Sequence, residues 1–88
     1  MKYRSRTEIA SNILEAANAG GATKTKVMYR AFLSYAQLKE YLGYLTGNNL
    51  LAYYSEDGTY KTTTKGIKFL TTTRQLDGLL ESTTVATA

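Results

Sequence analysis

Two helix-opening signals of the same kind, S-R-T-E at Ser5 and S-Y-A-Q at Ser34, mark where helices must begin in this chain. In each, the serine oxygen accepts the backbone N–H three residues on while the glutamate or glutamine side chain reaches back, so two orphaned groups of a helix start are satisfied together. The second signal lies inside T-K-T-K-V-M-Y-R-A-F-L-S-Y-A-Q-L-K-E-Y-L-G-Y-L-T-G-N-N-L, residues 23–50, which reads as two helices joined by a tight turn. That layout is a helix-turn-helix, and it points to DNA. The leading turn of the second helix then presents Tyr35, Gln37 and Lys39 where such motifs hold their base-reading side chains.

Apolar spacing fills in the elements around that pair. After Ser5, the residues Ile9, Ile13, Ala16 and Ala17 recur at helical intervals, and Gly20-Gly21 ends the first helix. Thr23 or Thr25 caps a short second helix that turns Val27, Met28 and Ala31 inward and leaves Lys24, Lys26 and Arg30 to solvent or phosphate, with Phe32 and Leu33 filling the turn. In the third helix, Leu38, Tyr41, Leu42 and Leu45 form a core stripe, stopped by left-handed conformers at Gly47-Asn48-Asn49.

Beyond that stop the pattern turns extended. Leu50 to Tyr54 and Thr59 to Thr62 are rich in aromatics and threonine and flank Ser55-Glu56-Asp57-Gly58, a strong hairpin signal. A helix-turn-helix followed by a hairpin is a winged helix-turn-helix, so the expected class is mainly α with a small β-hairpin wing (α+β). Thr63 or Thr64 opens a fourth helix carrying Ile67, Phe69, Leu70, Leu76, Leu79 and Leu80. Phe69, Leu76 and Thr83 share one heptad position and Thr72 and Leu79 another, a short seam suited to a partner helix, although Gly78 and Thr71 to Thr73 weaken it. The expected division is a winged helix-turn-helix over 1–63, a dimerisation helix over 64–81 packed on the same domain, and a frayed tail over 82–88.

Composition removes other functions. A single domain of 88 residues has a small core, and a second copy covering part of its surface is a reasonable way to stabilise it. There is no histidine and no cysteine, so the imidazole base, the thiolate nucleophile and the common transition-metal ligands are missing and an enzyme is not expected. No run of apolar residues approaches the roughly 20 of a membrane helix, which favours a cytoplasmic protein. All eleven basic residues lie at or before Arg74, where they face five acidic ones, a balance that attracts a polyanion. The same charge also serves plain solubility.

The block from Lys24 to Leu42, followed by a short hairpin, T-T-K-G and an apolar last helix, resembles the small archaeal winged-helix DNA-binding proteins of the 10a chromatin class and the related single-domain transcriptional regulators. The resemblance spans about residues 5–80, and its most specific part runs from Met28-Tyr29-Arg30 to Tyr41-Leu42. It implies a homodimer, joined by antiparallel C-terminal helices, that binds double-stranded DNA with two heads and is nucleoid-associated. Because Gly78 interrupts the last helix, a compact dimer is expected rather than a long rod.

Roles follow by residue type. Lys24, Lys26 and Arg30, with Lys2, Arg4 and Arg6 in the N-terminal arm, suit phosphates. Gln37 suits adenine, Lys39 suits guanine, and Ser34 and Tyr35 suit a base edge or a phosphate, while the cap itself competes for Gln37. On the wing, Lys61 is available but Glu56 and Asp57 at the tip repel a backbone. Phe69, Leu76, Leu79 and Leu80 are the expected dimer contacts. Tyr29, Tyr41, Tyr53 and Tyr60 are spaced as core or core-edge residues, and Tyr35, Tyr44 and Tyr54 as exposed ones. Two other readings stay open: a protein-interaction module of the same fold, and an RNA or single-strand binder using aromatics among basic residues. Nothing suggests a cofactor, a metal or a small-molecule effector.

Overall fold

The computed structural model describes residues 4–87, with side chains described as far as Leu79. In chain order the elements are α1 (Arg6–Asn18), β1 (Ala22–Thr23), α2 (Lys24–Arg30), α3 (Tyr35–Gly47), β2 (Leu51–Tyr54), β3 (Thr59–Thr62) and α4 (Thr64–Thr87). Both serine capping boxes form as expected: Ser5 with Glu8 opens α1, and Ser34 with Gln37 opens α3. Of the two candidate threonines, Thr23 caps α2, its hydroxyl accepting the Lys26 N–H at 3.3 Å.

The helical stripes converge on one core. Ile13 and Leu14 of α1, Val27 of α2, Leu38 and Leu45 of α3 and Leu51 of β2 are the largest fully buried side chains, and Tyr41, Leu42 and Leu70 close the cluster. Removing these surfaces from water is the main force that holds short helices marginal on their own. Among the described residues no helix is long and apolar enough to cross a membrane.

The hairpin pairs Leu51 with Thr62, Ala52 with Lys61, Tyr53 with Tyr60 and Tyr54 with Thr59, and Gly58 takes the left-handed conformation that its turn requires. The sheet has a third strand that the sequence did not announce. β1 pairs with β3, Ala22 against Tyr60 and Thr23 against Thr59, so the order is β1-β3-β2. Two residues cannot display a period of two, and only the tertiary approach of α1's exit to the wing creates this strand. The Thr62 hydroxyl then ties the wing to α1 by donating to the Leu14 carbonyl at 2.6 Å.

A second junction joins the end of α3 to the start of α4. Asn49, at φ +61°, and Leu50 donate back to Thr46 and Leu45, satisfying the last α3 carbonyls in a Schellman arrangement. The Leu50 carbonyl accepts from Thr63 N–H, whose hydroxyl accepts from Gly66 N–H at 3.0 Å and so caps α4. Gly66 is buried there against the Leu50 carbonyl.

α4 differs from expectation in extent, because its backbone stays helical to Thr87 where a frayed tail over 82–88 was expected. Once nucleated, a helix adds residues at small cost. The hydroxyls of Thr71, Thr72 and Thr73 are satisfied by carbonyls one turn back, at 3.1, 2.9 and 2.9 Å, which accommodates three poor helix formers.

Candidate nucleic-acid interface

Burial of the α3 stripe leaves the opposite side of that helix outward, and Ser34, Tyr35, Gln37, Lys39 and Glu40 are all exposed. The capping box holds its leading end: Gln37 N–H donates to Ser34 Oγ at 3.2 Å, and Ser34 N–H donates to Gln37 Oε1 at 3.2 Å. The Gln37 amide oxygen is therefore engaged in the cap. Replacing Ser34 by alanine removes the acceptor for a first-turn N–H, and a loss of about 1 kcal/mol in unfolding free energy by urea titration is expected.

Lys24 at the start of α2 sits beside α3, its Nζ 5.9 Å from the centroid of the Tyr35 ring. Lys26 and Lys39 are exposed and make no ion pair with a described residue. Residues 16–39 contain no aspartate or glutamate, so the charged residues of the helix-turn-helix up to Lys39 are all basic, and the next acid is Glu40. The positive end of the α3 dipole adds to the field these lysines create.

The arginines sit differently from the phosphate roles expected of them. Arg4 turns inward, donating from Nη1 to Ala31 O at 2.5 Å and Asn12 Oδ1 at 3.0 Å, and from Nη2 to Phe32 O at 2.8 Å. It closes the C-terminal end of α2, where unsatisfied carbonyls attract a cation. Arg30 reaches back to the Ala16 carbonyl of α1 at 3.4 Å. Arg6 belongs to α1 rather than to an arm, and its guanidinium lies 5.1 Å from the Tyr44 ring centroid and 6.0 Å from that of Tyr41, linking α1 to α3. Lys2 lies outside the described residues.

The turn between α2 and α3 also departs from expectation. Leu33 is buried and donates to Met28 O, but Phe32 does not fill the turn: it is 82% exposed at φ +54°. No glycine or asparagine is present between Lys24 and Ser34, so Phe32 takes the left-handed position that ends α2, a conformation that costs a residue with a Cβ roughly 1 kcal/mol. Tyr29 is likewise 70% exposed rather than core. The sequence held that signal: Tyr29 lies two residues, about 200° of helix rotation, from both inward-facing Val27 and Ala31.

On the wing, Lys61 is half-buried with its Nζ 4.6 Å over the Tyr54 ring. The Thr59 hydroxyl donates to Asp57 Oδ1 at 2.7 Å, which holds that carboxyl below its usual range and keeps the tip charged. Tyr53 is exposed, not core-edge, and packs on Tyr60 across the strands with 4.8 Å between centroids. It shares a face with buried Leu51 but stands two residues farther along the strand toward the turn.

The expected dimer residues divide. Phe69 packs partly on the chain's own core, Leu76 and Leu79 are 55% and 64% exposed, and the Leu80 side chain lies outside the described residues. Among the described residues no cluster of potential metal ligands occurs.

A helix-turn-helix with its recognition segment outward, followed by a hairpin in a three-stranded antiparallel sheet, is a winged-helix DNA-binding fold. The chain belongs to the winged helix-turn-helix family, whose model matches residues 3–81, and this places it among non-enzymatic proteins. It is similar to the crystal structure of Sso10a-2, a DNA-binding protein from Sulfolobus solfataricus, at 26% identity over 96% of this chain and 90% of that one, with a TM-score of 0.78. MepR, a transcription regulator of the Staphylococcus aureus multidrug efflux pump MepA, shares the fold at 19% identity, a TM-score of 0.75, and coverage of 96% and 64%. So does the PcaV transcriptional regulator from Streptomyces coelicolor, at 19% identity, a TM-score of 0.69, and coverage of 98% and 63%. No curated protein matches the chain.

Proposed function

We propose that the protein is a homodimeric binder of double-stranded DNA, acting as a transcriptional regulator or an architectural chromatin protein in the cytoplasm, with residues 34–46 entering the major groove. The observation that carries this reading is the exposed, capped leading end of α3 with Lys24 beside Tyr35 and with Lys26 and Lys39 exposed, in a stretch free of acidic residues from 16 to 39. A helix fits the major groove, and Tyr35 and Lys39 stand where base edges are read. With its Oε1 held in the cap, Gln37 keeps only its amide NH2 for a base and makes a two-point contact to adenine only by leaving the cap, so Tyr35 and Lys39 are the principal readers and Ser34 a backbone contact. Lys24 and Lys26 take phosphates, and Arg6 and Lys61 lie at the margins of the contact.

The division of labour is a head over 1–63 and a dimerisation helix over 64–81 that remains packed on the head through Leu70. Ile67 and Leu76 leave substantial apolar surface on α4, and a second copy of the same helix covers it through Leu76, Leu79 and Leu80, with Phe69 at the base of the seam. Sso10a-2, at 90% coverage, supports DNA as the partner, since its description is that of a DNA-binding protein.

The test is a duplex-binding titration over a salt series with random and with selected DNA, beside a solution mass. A linear fall of log affinity with log salt, and the mass of two chains, are expected. Salt-independent binding, or better binding of single strands or structured RNA in competition, defeats the reading. Asp57→Lys should tighten duplex binding at unchanged fold, because it reverses a charge at the wing tip. Weaker binding of that variant contradicts the placement of the wing beside the groove.

A further inference from the structure

Among the described residues Phe32 is the most exposed large apolar side chain, and its backbone is also held in the left-handed region. Three hydrogen bonds determine that geometry: Phe32 N–H to Tyr29 O at 3.3 Å, Leu33 N–H to Met28 O at 3.1 Å, and Arg4 Nη2 to Phe32 O at 2.8 Å. At the matching place after α3 the chain uses Asn49, a residue that tolerates this conformation and prefers water. After α2 it fixes a bare phenyl ring in solvent instead. Strain held in place by its surroundings, with an apolar group turned outward, is the kind of outlier that points to a contact.

Tyr29 and Tyr35 stand three residues to either side, 70% and 59% exposed. Lys24 lies beside Tyr35, its Nζ 5.9 Å from the ring centroid, Lys26 and Lys39 are exposed on the same two helices, and residues 16–39 carry no carboxylate. A protein partner would need a strongly acidic rim to match that setting, whereas a duplex offers phosphates beside apolar C–H surface.

We propose that Phe32, flanked by Tyr29 and Tyr35, is an apolar contact to duplex DNA, its ring closing on deoxyribose or a thymine methyl while the neighbouring lysines engage phosphates. The inference rests on the DNA-binding reading above. It assigns to the turn a share of affinity that does not come from counterion release, and so does not vary with salt.

Phe32→Gly separates the contact from the fold, because glycine takes a positive φ without penalty and should leave the thermal midpoint equal or higher. Expected for this variant is duplex affinity about tenfold weaker, as for loss of an aromatic anchor, with the salt slope of the parent protein. Repeating the titration on a duplex with deoxyuridine in place of thymidine identifies the surface touched. If the parent protein loses affinity on that duplex and the variant does not, the ring sits on a thymine methyl; if neither changes, it sits on deoxyribose. Unchanged affinity of Phe32→Gly while the parent binds duplex in a salt-dependent way overturns the inference and leaves the reading intact. A reduced salt slope or a lowered midpoint in the variant overturns it as well. A parent protein without salt-dependent duplex binding takes both down.

Discussion

Alanine at Gly66 is expected to destabilise the protein by about 2 kcal/mol or more, although alanine is the better helix former. A Cβ at this position would run into the Leu50 carbonyl oxygen and come within 2.6 Å of Thr62 Cγ2. Neither side gives way easily. The Leu50 carbonyl accepts the Thr63 N–H at 3.1 Å in the junction that ends α3 and starts α4, and Thr62 is tied to Leu14 O. The clash therefore reaches the α3 stop, the wing and the α4 cap together, and its cost exceeds the roughly 1 kcal/mol that alanine gains over glycine inside a helix. Gly78 supplies the control, since it lies in the same helix and a methyl there would meet no described residue within 4 Å. Gly78→Ala should raise stability by up to about 1 kcal/mol. Urea unfolding of the two variants should thus give shifts of opposite sign from the same chemical change, and a stabilised Gly66→Ala would refute the close approach of α4 to Leu50.

The second large effect concerns binding. Changing Lys24 and Lys26 together to glutamine should lower the salt slope of duplex binding by about 1.8, as two phosphate contacts are lost, and weaken random and selected DNA alike. Both side chains are exposed, and neither donates a side-chain hydrogen bond to a described residue, so the fold should keep its thermal midpoint. Arg30→Gln should change the slope less, because this guanidinium already reaches the Ala16 carbonyl, and should cost some stability instead. Equal slopes for the double lysine variant and the parent protein would remove α2 from the interface.

Much of the architecture was readable because the signals are local. A serine with glutamate or glutamine three residues later acts through hydrogen bonds within one turn, and it located the starts of α1 and α3 correctly. The stripe Leu38, Tyr41, Leu42 and Leu45 was assigned to the core by spacing alone, and all four side chains are buried. Asp-Gly between aromatic runs gave the wing. The interface was only partly readable: the exposure of Tyr35, Gln37 and Lys39 followed from that stripe, whereas the engagement of Arg4 and Arg30 with backbone carbonyls did not. Long flexible cations go to whichever carbonyl or phosphate is nearest, and the carbonyls of Ala31, Phe32 and Ala16 come within reach only after the helices have packed.

By itself, then, the order of residues determined the helix starts, the inward face of each long helix, the hairpin and the sign of the charge around α3, because caps, periodicity and turn chemistry act over a few neighbouring positions. The tertiary structure alone decided the third strand at Ala22–Thr23, the burial of Gly66 against Leu50 and the outward, left-handed Phe32. Each of these depends on which segments meet in space, and contacts between groups far apart in the chain leave no period or motif for a reader of sequence to find.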